Sequence, residues 1–262
     1  MASYAAPRWK SAISNALAEH SKSVGKILYT GVKITPLTYP VQVFQLATID
    51  PSAPKPHVRS HIFRAWLEPP GHDNLPLILT TTDIRTPKVS QLISNPSIEL
   101  AWWIEGKQEQ FRIRGTVSVI PAPDHPLRKN FTGDASLGIK ALEGLDWEDK
   151  RKEVFKMMSA HMKASWCRPV PGTRLVGGDE EAKKWPVRVD EPGHEKGEDG
   201  KEVSEEDRKR NKENWEKSLK NFALVIIDPT EVDYVELGVI PNKRTKFWRS
   251  ENGAWEEEAV VP

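Results

Sequence analysis

The chain has 262 residues and a mass of 29.6 kDa, room for one large domain or two small ones and for a sizeable buried core. Its 38 basic and 37 acidic side chains leave a formal charge of +1, which excludes the global positive field that recruits nucleic acid or anionic membrane, so any anion is bound locally. One cysteine, Cys167, excludes an intrachain disulfide framework and a cysteine zinc site and points to a reducing compartment.

Lys10, Glu19, His20, Lys22 and Lys26 interrupt any apolar signal-peptide core in the first thirty residues, and no apolar run approaches the ~18 residues of a membrane span. A soluble cytoplasmic protein is expected. Pro7-Arg8-Trp9-Lys10 opens a helix over about 7–20, with Trp9, Ile13, Ala16 and Leu17 on one face and Pro7 in the first turn, where no amide donor is needed. From Val41 to Ile49 the period changes to a short β-branched run bounded by Pro40 and Pro51, which reads as a strand. Further strands are expected at His57–Trp66, Leu75–Thr82, Ile98–Ile104, Glu109–Ile120, Phe222–Asp228, Val232–Leu237 and Arg244–Trp248. Turn signals such as Asn95-Pro96 and Glu105-Gly106 between them favour a closed antiparallel sheet over a parallel βαβ array. A helix starts at Thr86-Pro87-Lys88, with Thr86 as N-cap, Pro87 first, and Val89, Leu92 and Ile93 inward; another is expected from about Trp147 to Lys163.

Residues 178–220 hold 25 Asp, Glu, Lys or Arg in 43 positions, 14 acidic and 11 basic, too polar for a core of their own. They read as a solvated insertion in a single domain, its last part, Glu205 to Lys220, a polar helix anchored by Trp215 and Leu219. The basic cluster Arg208-Lys209-Arg210-Asn211-Lys212 permits a nuclear address, but interleaved acids leave the segment net negative.

There is no glycine-rich phosphate loop, no His-Glu-x-x-His and no serine elbow. His57 and His61 share a strand face but stand ~13 Å apart along it, too far to chelate one metal. What stands out is a set of cations: Arg59 and Arg64 on one strand, Arg85 and Lys88 at the start of the following helix, and Arg112 and Arg114 on the strand with Gln110. A helix start flanked by Arg85, Thr86 and Lys88 combines backbone donors, the positive dipole end, two cations and a hydroxyl, which suits a phosphate. The plainer alternative is a capped helix at the sheet rim. Cys167 beside Arg168 admits a redox thiol, although a lone cysteine is more often a small buried apolar residue.

The order Arg59-Ser60-His61-Ile62, then Thr80-Thr81-Thr82-Asp83-Ile84-Arg85-Thr86-Pro87-Lys88, Asn95-Pro96, Ala101-Trp102-Trp103 and Gln110-Phe111-Arg112-Ile113-Arg114-Gly115 resembles the pyridoxamine 5′-phosphate oxidase-like FMN-binding split barrels. More closely, it resembles the plant, cyanobacterial and fungal subgroup of FMN-binding domains with no settled substrate. Trp166-Cys167-Arg168-Pro169-Val170-Pro171-Gly172 and the tail, from Val232-Asp233-Tyr234 through Arg244, Arg249 and Trp255 to Pro262, are similar to that subgroup too.

The resemblance implies a mainly β, α+β fold, an antiparallel six- to eight-stranded split β-barrel, acting as an FMN-dependent homodimeric oxidoreductase that passes hydride between a small substrate and flavin N5. It implies that Arg59, Lys88, Arg85 and Thr86 hold the FMN phosphate, and that Ser60, His61 and Ile62 present backbone to the ring. It further implies that Gln110 bonds the ring's pyrimidine edge, that Ser165 comes from the partner subunit, and that Thr80 and Arg249 belong to the cofactor site. The substrate hairpin departs from the pattern: Arg244-Thr245-Lys246 has lysine where the vitamin B6 oxidases have histidine, and Glu236 or Leu237 stands where a flavin-facing tryptophan is expected. FMN binding is thus expected without pyridoxamine 5′-phosphate oxidation, Arg244 and Lys246 remaining the candidate substrate residues. A flavin scaffold without turnover, or a split barrel holding haem or a deazaflavin, are the alternatives.

Overall fold

The computed structural model of the protein describes residues 5–28, 42–50, 52–195 and 203–262, with the side chains of 20–28 excepted. Helix α1 (Arg8–Leu28) buries Trp9, Ile13 and Ala16 against the sheet. It outruns the expected end near residue 20, since Gly25, the one weak helix former of its last turn, costs only ~1 kcal/mol. The strands are β1 (Val43–Asp50), β2 (Lys55–Ile62), β3 (Ala65–Leu67), β4 (Leu77–Asp83), β5 (Ser97–Ile104), β6 (Glu109–Ile120), β7 (Phe222–Glu236), β8 (Lys243–Arg249) and β9 (Trp255–Val260). The expected start of the first strand, Val41, lies outside the described residues.

All the ladders are antiparallel, in the order β2-β1-β5-β6-β7-β4-β3, with β8 on β7 and β9 on β8. This is nine strands rather than six to eight, and the sheet is not closed into a barrel. The expected strand over His57–Trp66 is two strands, β2 on β1 and β3 on β4. Between them the chain crosses from one sheet edge to the other through Phe63, whose N–H donates to Gln42 O at 2.9 Å, and Arg64, whose N–H donates to Leu79 O at 2.9 Å. The two edges meet there without a ladder. Conversely, the strands expected on either side of Asp228-Pro229 are one, β7. A bulge in β7 leaves Thr230 as the extra residue, since Arg114 faces Glu231 while Gly115 faces Pro229, which has no ladder donor to offer, and a Cβ at Gly115 would collide with the Asp228 carbonyl oxygen.

The inner sheet face and α1 enclose one core, with Phe44, Leu46, Leu100, Trp102, Phe111, Ile113 and Val225. A second core lies on the other face of β4 and the first half of β7, covered by α3 (Leu137–Lys140), α4 (Trp147–Met157) and α5 (Ala160–Ser165). The helix expected over 147–163 breaks at Ser159, whose hydroxyl accepts from Met162 N at 3.2 Å and caps a new helix. Helix α2 (Pro87–Ser94) follows β4, and α6 (Gly178–Ala182) and α7 (Glu205–Asn221) belong to the charged insertion. That insertion is not wholly solvated: Val189 is fully buried with Ala164 and Cys167, and α7 packs Trp215 and Leu219 as expected and buries Ser218, whose hydroxyl donates to Lys163 O at 2.7 Å. Away from these helices the outer face of β1, β2 and β5 is bare, leaving Val43, Ile49, Val58 and Trp103 exposed.

Candidate functional site

Strand alternation turns Thr48 on β1 and Arg59 and His61 on β2 to the inner face, where the buried Thr80 of β4 and one side of α2 meet them. Lys88 and Gln91 stand three apart on α2 and so share its face. Arg59 donates from Nη1 to Thr48 Oγ1 at 2.5 Å and from Nη2 to Gln91 Oε1 at 3.0 Å, while Thr48 Oγ1 donates to the same Gln91 oxygen at 2.7 Å. The guanidinium is thereby fixed by neutral partners and keeps its charge unanswered. Lys88, half-buried, makes no hydrogen bond or ion pair among the described residues. Burial first, and then the charge of Arg59, push its ammonium below the usual lysine range, with Asp83 acting the other way. Two cations thus face each other without a counter-ion of their own, an arrangement that an anion stabilises.

His61 borders this pair and is only 3% exposed. Burial, followed by the charges of Lys88 and Arg59, lowers its pKa to about 3, so the ring is neutral. Thr80 gives its hydroxyl hydrogen to Ile62 O at 2.8 Å and therefore accepts from His61 Nδ1, 3.3 Å away. The imidazole proton sits on Nδ1, leaving Nε2 a buried acceptor with no partner among the described residues. The ring stacks on Phe44, with centroids 6.0 Å apart.

Arg85 is differently placed. Its Nε and Nη2 donate to Asp83 at 3.0 and 2.7 Å, and its Nη1 and Nη2 donate to Arg168 O and Trp166 O at 2.8 and 3.2 Å. With its charge neutralised and its donors engaged, Arg85 ties the start of α2 to the segment after α5. Thr86 is at the N-cap position, but its hydroxyl donates to Asp83 O at 2.7 Å and caps no amide. Ser165 Oγ donates to Met162 O at 2.6 Å, and its residue borders a hollow together with Asp83 of its own chain. Arg249 lies apart from the cluster: its Nη1 donates to Asp228 Oδ1 at 2.6 Å, the two side chains being 5% and 1% exposed, and Asp228 also accepts from Gly138 N at 2.8 Å.

The remaining candidates occupy the opposite, outer face. Ser60, whose hydroxyl donates to Gln45 Oε1 at 3.2 Å, and Ile62 alternate with the inward residues of β2. Gln110 stands in one cross-strand row with Trp103, Val235 and Arg244, and Arg112 in the next row with Ala101, Asp233 and Lys246. Arg244 donates to both carboxylate oxygens of Asp233 at 2.9 and 2.8 Å, and Arg112 pairs with the same carboxylate. The hydrogen bond from Arg244 holds the Asp233 pKa below the ordinary value against burial, helped by the charges of Arg112, Arg244 and Lys246. Three cations surround this carboxylate, and Glu258 of β9 stands opposite Lys246 in the same row.

Thr48 and Gln91, which fix Arg59, were missing from the sequence reading. A polar residue at an inward position of an otherwise apolar strand was the legible signal for Thr48, and the three-residue spacing from Lys88 was that for Gln91. Cys167 is buried, its Sγ donates to Asn214 O at 3.0 Å, and burial pushes its thiol pKa up, which fits a packing role rather than a redox thiol. Among the described residues no cluster of three or more His, Cys, Asp or Glu is placed to hold a metal ion, and no helix is long and apolar enough to cross a membrane.

An antiparallel sheet with flanking helices carries one fixed and one unpartnered cation beside a helix start, an arrangement that suits a phosphate. Residues 6–121, which hold Arg59, His61, Thr80, Lys88 and Gln110, match the family model of the pyridoxamine 5′-phosphate oxidase FMN-binding domain. Over these residues, somewhat under half of its length, the chain is similar to that family's FMN-binding domain. Pyridoxine/pyridoxamine 5′-phosphate oxidase 2 of Arabidopsis thaliana is 37% identical over 78 residues, 30% of this chain and 36% of that protein, so the match spans about a third of the curated relative. The crystal structure of a pyridoxamine 5′-phosphate oxidase-related, FMN-binding protein from Nostoc punctiforme shares the fold, with a TM-score of 0.64 at 22% identity over 98% of this chain and 100% of that one. Ser165, Arg244, Lys246 and Arg249 lie beyond the matched family domain.

Proposed function

We propose that the protein is an FMN-dependent oxidoreductase, a homodimer that acts on a small substrate other than pyridoxamine 5′-phosphate. The observation that carries the cofactor reading is the Arg59–Lys88 pair: two partly buried cations without a counter-ion suit the phosphate of FMN, and the free amide of Lys88 in the first turn of α2 adds a donor. Thr48 and Gln91 hold the Arg59 fork in place. His61, neutral and dry, backs the two cations without adding a third charge. FMN, when bound, supplies hydride chemistry at N5, and the chain supplies anchorage, orientation and exclusion of water. Gln110, on the opposite sheet face from the Arg59–Lys88 pair, suits the mixed donor and acceptor edge of a flavin ring anchored by the second copy of the chain, and Arg244 and Lys246 remain the candidate substrate residues. The exposed Val43, Ile49, Val58 and Trp103 favour a second copy of the chain as the cover of the bare sheet face. One observation favours a flavin scaffold without turnover instead: Asp233 already occupies the Arg244 fork.

The purified protein is expected to show flavin absorbance near about 375 and 450 nm rather than a Soret band, and to elute as a dimer by light scattering. It is expected to bind FMN at least about a hundredfold more tightly than riboflavin, because two charge-assisted contacts are worth roughly 1.5–3 kcal/mol each. Equal affinity for FMN and riboflavin would refute the phosphate site.

A further inference from the structure

On the far side of the Arg85–Asp83 pair from the anion cluster, the segment 165–177 and α6 enclose a hollow of about 760 Å³, which has Asp83 on its wall. That volume lies within the roughly 300–1,000 Å³ of small-molecule sites. Its walls are largely apolar, with Trp185 as a flat surface, Val170 and Leu175 beside it, and Trp166, packed on Phe155 and Phe222, as the closed floor. The backbone around it is built rather than loose. Arg85 and Asn221 both donate to Trp166 O, the latter at 2.8 Å; Arg85 also holds Arg168 O; and Thr173 closes a turn by donating from N and Oγ1 to Val170 O at 3.2 and 2.8 Å. Gly172 and Gly177 have φ of +87° and +84°, a conformation that glycine adopts without a Cβ penalty.

The charges on the lining are unbalanced. Asp83 is answered by Arg85, and Glu181 by Lys184 at 2.8 Å, whereas Arg168 and Arg174 make no ion pair or side-chain hydrogen bond among the described residues. Flat apolar walls with two unanswered guanidinium groups and no free acid define the complement of one ligand class. We propose that this hollow binds a planar, largely apolar organic anion, an aromatic carboxylate in its simplest form, through stacking on Trp185 and ion pairing with Arg168 and Arg174. The site is distinct from the Arg59–Lys88 anion cluster, and its existence does not depend on flavin being the occupant there.

The test is calorimetric titration of 2-naphthoate into the full chain, once as purified and once saturated with FMN, with uncharged 2-naphthylmethanol as comparator. The expected result is saturable binding of one naphthoate per chain in both preparations, at least tenfold tighter than the alcohol. The Arg168→Ala/Arg174→Ala double variant is expected to weaken naphthoate at least tenfold, and Arg168→Lys/Arg174→Lys to restore part of the loss, with FMN affinity unchanged in both. Absence of saturable binding, or equal binding by the double alanine variant, overturns the proposal. So does a Leu175→Asp variant that turns a dimer into a folded monomer by light scattering, since the hollow is then a subunit contact. Failure of FMN binding with naphthoate binding intact refutes the flavin reading and leaves this site standing.

Discussion

Lys88→Ala and Arg85→Ala distinguish a free cation from a committed one, although both residues stand at the start of α2. Lys88 has no partner of its own, and its ammonium is disfavoured by burial and by Arg59, so its removal leaves no stranded charge and relieves a like-charge approach. The apo-protein is expected to unfold no earlier than the unsubstituted chain. FMN then loses one charge-assisted contact, worth about 1.5–3 kcal/mol, which raises its Kd about 10- to 150-fold while leaving riboflavin almost unaffected. Arg85→Ala is expected to do the reverse. The Asp83 side chain is 8% exposed and that of Arg85 19%, so truncation strands a nearly buried carboxylate and removes the side-chain donor to Arg168 O, while Trp166 O keeps Asn221. A cost of about 3 kcal/mol, the lower end of the range for broken buried pairs, corresponds to a Tm lower by roughly 6–12 °C at this chain length. The FMN to riboflavin affinity ratio, however, is expected to stay within about threefold, since Arg85 brings no net charge to the phosphate. Fluorescence titration of both flavins into each variant, with thermal melts of the apo forms, provides all the quantities. An unchanged ratio in Lys88→Ala, or a ratio that collapses in Arg85→Ala alone, would refute this division of roles.

Arg249→Ala should cost about 3–5 kcal/mol in urea unfolding, because it leaves Asp228 buried with only the Gly138 amide as partner; weakened FMN binding in a variant shown to be folded would put Arg249 back in the cofactor site. His61 has a folded pKa of about 3 against 6.5 when free, so below about pH 6.5 the unfolded chain binds a proton that the native state refuses. Its contribution is therefore present at neutral pH and is lost as pH falls from about 6.5 toward 3, by up to about 1.4 kcal/mol per unit. His61→Gln should flatten the fall in stability between pH 6 and pH 4 by that amount, and identical slopes would show that the native imidazole protonates freely. Oxygen-dependent formation of pyridoxal 5′-phosphate by the FMN-saturated protein should be negligible, with Lys246 in place of histidine and Arg244 gripped by Asp233; turnover near about one per second at micromolar substrate would overturn that expectation.

The elements that sequence alone determined are those governed by local rules. Short β-branched runs between turn signals marked β1, β5 and β6, the Thr86-Pro87 start marked α2, and the apolar spacing of Trp9, Ile13 and Ala16 marked the buried face of α1. The cations Arg59 and Lys88 and the order of motifs around them were legible too, and with them the likeness of residues 6–121 to the FMN-binding domain. Only tertiary structure decided which cations are free. Arg85, Arg244 and Arg249 are as basic in sequence as Arg59, but folding brings each to a carboxylate, Asp83, Asp233 or Asp228, while Arg59 meets the neutral Thr48 and Gln91. The partner that completes the Arg85 clasp, Arg168 O, lies 83 residues away. The same holds for the two strands joined in β7, because the close approach that keeps Asp228-Pro229 in the sheet is permitted by Gly115, on β6. A side chain's charge is a property of its residue, whereas whether that charge is spent depends on long-range neighbours, and local pattern carries no record of them.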